Sequence, residues 1–151
     1  MSSVDTASVD AIYSSHNIEH LYPNDVGAAL QEFSRLLRHD GFVMLTCPGL
    51  YSICRLVVDD KVVDTACHPP AGPIAAIDML YGFRPSMAEG DSYTSRRSGF
   101  TETTLRGTFE HFGFLSVATL RCEKHFDLFC LASKKKLKDN ELISLAKSHF
   151  P

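Results

Sequence analysis

Apolar and polar positions along this chain divide it into a regular first third, an irregular middle and a regular end. Val9 to Ser14 is apolar and runs straight into a polar cluster, Ser15-His16-Asn17-Ile18-Glu19-His20. That pattern predicts a short buried strand that ends at a ligand crevice, as parallel strands do. Val26, Leu30, Phe33 and Leu37 then recur at helical spacing and predict a helix over 24–38. Asn24 or Asp25 is the expected cap, and Arg35, Arg38 and His39 suit the C-terminal end of the dipole. Asp40-Gly41 is read as its stop. Phe42 to Cys47 is the next strand, broken by Pro48-Gly49.

The middle, residues 48–100, holds five of the seven prolines and five of the nine glycines. The run His68-Pro69-Pro70-Ala71-Gly72-Pro73 excludes regular helix and central strand, because proline fixes φ and lacks a donor. Short helices are expected at Leu50 to Val58 and Ile74 to Tyr81. A loop region of this length in a small domain is functional or mobile. Order returns at Phe100-Thr101, where Thr101 is an N-cap and Phe100 with Leu105 forms a hydrophobic staple. Leu105, Phe109 and Phe112 mark the apolar face, and Gly113 ends the helix. Leu115 to Cys122 and Phe126 to Ala132 predict a hairpin. A basic run, Lys134 to Lys138, leads into a tail with a loosely attached short helix and reads as a solvated chain end.

Composition narrows the function classes. The chain has 151 residues, 44% hydrophobic and 22% charged, with a net charge of −3. That is one ordinary globular domain, with no global field for nucleic acid or an anionic membrane. No apolar stretch approaches the ~20 residues a bilayer span needs, and the N-terminus does not read as a signal peptide. The five cysteines show no CxxC spacing and read as reduced, mostly buried thiols of a cytoplasmic protein.

His16 to His20 also spells HxxEH. Zinc chemistry would need both histidines on one helical face, but a strand precedes the motif and Pro23 closes it, so no metal is expected. The plain alternative is a strand-end loop that caps the next helix. His68, Tyr81, Arg84, Arg96 and Arg97 mark the middle segment, and the arginines would suit an acidic substrate; solvated charges on a mobile loop are the plain reading.

The order strand, helix, strand, insertion, helix, hairpin is similar to the C-terminal half of class I S-adenosylmethionine (SAM) methyltransferases. Three segments carry the resemblance. Asp10, Ile12, Ser15, His16, Glu19, His20 and Leu21 resemble the fourth-strand motif of the small-molecule branch. Ala29 to Leu37 with Asp40-Gly41 resembles its helix D, and Phe100-Thr101 through Gly113-Phe114 resembles its helix E. The resemblance implies an α/β, partial Rossmann-like sheet over 1–133, with an antiparallel strand from the last hairpin, 48–100 as an insertion or substrate cover, and 134–151 as a tail. It implies Ser14, Ser15 and His16 beside the methionine part of SAM, and Glu19 and His20 facing the substrate, with His20 the candidate general base. His68, Tyr81 and Arg84 fall in the cover region.

The sequence contains no GxGxG, and no acidic residue matches the one that binds the cofactor ribose in that family. Two functions therefore stand. One is a SAM-dependent methyltransferase-like protein acting on a small-molecule acceptor, incomplete and inactive as this isolated chain. The other is a non-catalytic remnant that acts as a dimerisation or protein-interaction module. In both, the first strand is an exposed parallel edge, so a homodimer through Val9 to Ser14, or a chain that completes the sheet, is expected.

Overall fold

The computed structural model describes residues 3–69 and 72–150. Of the proline run noted above, Pro70 and Ala71 lie outside the described residues. Strand β1 (Val9–Ser15) leads through a single-turn helix (Ile18–His20) into α1 (Pro23–Leu36) and β2 (Leu37–Pro48). The insertion folds as α2 (Leu50–Val58), the strand pair β3 (Thr65–Cys67) and β4 (Ile74–Ala75), and the short helices α3 (Ala76–Tyr81) and α4 (Arg84–Ala88). Helix α5 (Glu102–His111), the hairpin β5 (Ser116–Cys122) and β6 (Asp127–Ser133), and α6 (Asp139–Lys147) complete the chain.

The main sheet has the order β1-β2-β6-β5. β1 and β2 are parallel, and β6 inserts antiparallel between β2 and β5. This is the mixed α/β sheet that the element order predicts. α1 and α5 supply apolar faces to it. Val26 and Leu30 of α1, Leu105 and Phe109 of α5, and Val43, Leu45, Leu128 and Cys130 of the strands share one core. Thr101 caps α5 reciprocally with Thr104, Phe100 and Leu105 are both buried in that core, and Gly113 (φ +90°) ends the helical stretch. A smaller core of Ile53, Ala76 and Met79, with Leu56, Cys67 and Ile74 against it, holds the insertion together.

Several expectations are corrected. β1 is not buried: it pairs only with β2, and Tyr13 is 67% exposed, because the described residues place nothing on its other side. The cap of α1 is Tyr22 with Pro23 behind it, and neither Asn24 nor Asp25 caps it. Proline suits this first turn, where its missing donor costs nothing. The helix also stops before Asp40-Gly41. Leu37 already pairs with Val9, and the next partners are Ala11 and Phe42, so the turn is an irregularity inside β2. Two of the five cysteines, Cys47 and Cys130, are buried, while Cys54 is exposed. The tail is docked: α6 lies on β5, the ring of His149 meets the edge of Phe42, and Phe150 lies against Phe129.

Candidate functional site

A cleft of about 650 Å³ opens at the carboxyl ends of β1 and β2, the position where α/β sheets bind ligands. His16 after β1, Pro48 ending β2, and Lys124 to Asp127 of the β5–β6 turn form one side. Ala66, Cys67, His68, Pro69, Ile74, Met79 and Arg96 of the insertion form the other.

Beside the cleft, residues 95–98 are bonded to the single-turn helix. The backbone N–H groups of Arg97 and Ser98 both donate to Glu19 O, at 2.8 and 3.1 Å. Ser98 Oγ donates to Ile18 O, and Arg97 Nη1 to His20 O at 2.9 Å, with the guanidinium over the Tyr22 ring. Arg96 donates to Met79 O. Residues 95–98 are therefore fixed over the single-turn helix and cover it.

His16 is the junction of the site. Its φ is +47°, a left-handed conformation uncommon outside glycine, and its backbone N–H donates to Thr46 O. The ring lies between two carboxylates: Nδ1 is 3.5 Å from Glu19 Oε1, and Nε2 is 3.5 Å from Asp127 Oδ1. Both contacts are longer than hydrogen bonds. The His16 pKa is raised, first by Glu19 and further by Asp127, against burial and the Arg96 charge. Burial pushes the Asp127 carboxyl up, opposed by His16, His125 and Arg96. Glu19 is 1% exposed, and neither of its side-chain oxygens has a hydrogen-bond partner among the described residues. Such a carboxyl is costly unless charge or a donor meets it.

The sequence-predicted residues are brought together only in part. His16 and His68 line the cleft. Glu19 lies behind His16. His20 is turned to the cover, with Nδ1 2.9 Å from Ser95 O. Ser15 Oγ is bonded to Thr46 Oγ1, and Ser14 is half-buried on β1. Tyr81 is 66% exposed and outside the cleft, and Arg84 is engaged by Asp78. Asp127, Lys124 and His125 were not singled out in the sequence, although the charged turn of the hairpin was the available signal. Among the described residues, no group of three or more His, Cys, Asp or Glu is placed to hold a metal ion. No helix of the described residues is long and apolar enough to cross a membrane.

Comparison with known proteins follows the same lines. The family described as "Methyltransferase domain" matches residues 1–45. No curated protein matches the chain. Among solved structures, 1,6-didemethyltoxoflavin-N1-methyltransferase of Burkholderia thailandensis, solved with bound 1,6-didemethyltoxoflavin and S-adenosylhomocysteine, superposes with a TM-score of 0.52 at 16% identity, over 86% of this chain and 45% of that one. A SAM-dependent methyltransferase of Archaeoglobus fulgidus gives 0.52 at 14% identity, over 88% and 62%. The CMeT domain of the citrinin polyketide synthase gives 0.56 at 14% identity, over 88% and 29%. The chain thus spans less than two thirds of each. In fold, and in the sequence of its first 45 residues, it is similar to class I SAM-dependent methyltransferases.

The described residues do not form a holding site for SAM. Ser15 and the backbone of His16 are already bonded to Thr46, and Asp10 is paired with Arg38. They do not fit the cofactor by themselves.

Proposed function

We propose that this chain forms the acceptor side of a SAM-dependent methyltransferase, with the cofactor site completed by residues beyond those described, in cis or on another chain. The observation that carries the reading is the cleft at the carboxyl ends of β1 and β2, in a sheet of methyltransferase topology whose first 45 residues match the methyltransferase family. The acceptor is a small molecule, since the cleft has drug-ligand dimensions. Isothermal titration with SAM and with S-adenosylhomocysteine tests the proposal. Saturable binding at or below ~100 μM, about −5.5 kcal/mol, supports a complete cofactor site. No heat at millimolar ligand means that this chain alone is not the enzyme.

The second reading is an interaction module. It is favoured by β1, whose outer edge is unpaired among the described residues and carries the exposed Tyr13. Edge strands of this kind pair with another chain. Light scattering with Tyr13→Lys is the test: a dimer that becomes monomeric supports it, and a wild-type monomer at all concentrations sinks it.

A further inference from the structure

We propose that His16 is the proton acceptor of the cleft, that Glu19 is its positioning residue, and that the bound acceptor carries a dissociable O–H or N–H. The substrate part of this inference rests on the methyltransferase reading; the acid–base part does not. Glu19 is the unusual group here. It is buried with both oxygens unpartnered among the described residues, and the histidine nitrogens beside it are His16 Nδ1 at 3.5 Å and His20 Nε2 at 3.9 Å. His20 commits its Nδ1 to the Ser95 carbonyl and is outside the cleft, whereas His16 lines it. A carboxylate on Nδ1 holds that nitrogen protonated and leaves Nε2 as the accepting nitrogen, at the cleft wall beside Asp127 Oδ1 at 3.5 Å. This is the arrangement of a carboxylate–imidazole base with a second carboxylate next to the proton it takes up. Such contacts are long without ligand and tighten when one is bound.

The proton step balances within the site. The X–H bond of the acceptor breaks, its proton passes to His16 Nε2, and the electron pair stays on X. The imidazolium formed lies between Glu19 and Asp127, with Arg96 offsetting part of their charge. His125 acts on Asp127 from the hairpin turn. Lys124 of the hairpin turn and His68 and Cys67 of the insertion line the same cleft and are the other titratable groups that face it.

Diethyl pyrocarbonate acylates free imidazole nitrogen, and peptide mass spectrometry reads each histidine separately. The pH–rate profile of His16 is measured in the wild type, Glu19→Gln and Asp127→Asn, with the exposed His39 as internal reference. In both variants the His16 midpoint falls by about half a pH unit or more, and in Glu19→Gln the alkaline plateau drops about twofold or more. Asp127→Asn keeps the test valid should loss of the buried Glu19 charge unfold the chain. A His16 profile unchanged in the folded variants overturns the base. Phenol, a minimal O–H acceptor, protects His16 and not His39, and its O-methyl ether anisole protects less. Equal protection by the two, or none, overturns the substrate class. No SAM is present in the labelling, so a failed cofactor titration beside an intact labelling profile leaves the acid–base assignment standing and says only that this chain alone does not hold the cofactor.

Discussion

Lys134 donates from Nζ to Ser34 O at 2.8 Å and also to Leu37 O at 3.0 Å, so a residue just after the last sheet strand caps the C-terminal end of α1. The last carbonyls of a helix lack intrahelical donors, and a cation there also meets the negative end of the dipole. Lys134→Ala therefore lowers stability by about 1–2 kcal/mol, while Lys135→Ala, at an exposed position, stays within about 0.5 kcal/mol. Urea unfolding of both variants measures the difference. Equal midpoints would show that the cap contributes nothing.

Gly82 follows α3 with φ +117°, and a Cβ there would lie 2.3 Å from the Thr94 carbonyl oxygen. Both the backbone angle and the contact are backbone properties, so no side-chain rotation relieves them. Gly82→Ala is expected to cost about 2–3 kcal/mol and to loosen the cover, because Arg96 N–H bonds the neighbouring Tyr81 carbonyl. Hydrogen exchange reads this locally: protection falls at 95–98 and remains in β2 and β6. Unchanged exchange at 95–98 would separate Gly82 from the cover.

Periodicity was a reliable guide where one face of an element meets the core. Leu50 to Val58, the Thr101 cap and the terminal hairpin were readable because each is encoded locally. Leu37 shows where this stops. It fits the helical face of α1 by spacing, yet it is the first residue of β2, since pairing with Val9 outweighs one more helical turn. The same holds in the site. His16, Glu19 and His68 stood out as residue types in a motif or a proline-rich loop. Asp127 did not, because its role depends on β6 returning between β2 and β5, a pairing between positions some eighty residues apart. Arg84 stood out as a ligand for acidic groups, and the structure gives it one already, within its own chain.

Thiol chemistry offers a direct check on burial. Cys47 and Cys130 are 0% exposed, and burial pushes both thiols far above the ordinary range. The thiolate is the reactive species, so both are inert in the native state. Cys54 is exposed on α2 and reacts first with Ellman's reagent at neutral pH. Cys47 and Cys130 react only at the rate of unfolding. Rapid native labelling of Cys47 would mean that the site end of β2 opens.

Asp78 and Arg84 give the clearest pH dependence. The Asp78 side chain is 4% exposed, and it accepts from Arg84 Nε at 2.6 Å, from Arg84 Nη2 at 3.3 Å and from the Ala75 N–H at 2.9 Å. The Arg84 guanidinium holds its carboxyl below the ordinary value, with the backbone donors adding to the effect and burial opposing it. A depressed folded-state pKa stabilises the fold above the unfolded value, near 4, and that contribution is lost as pH falls through the folded value. Asp78→Asn keeps the shape and removes the charge, so it costs about 2 kcal/mol at pH 7 and progressively less toward pH 3. The wild-type and variant stabilities, followed by urea unfolding from pH 7 down to pH 3, therefore converge. Curves that stay parallel across that range would mean that the pair is held by packing around α3 and not by the charge.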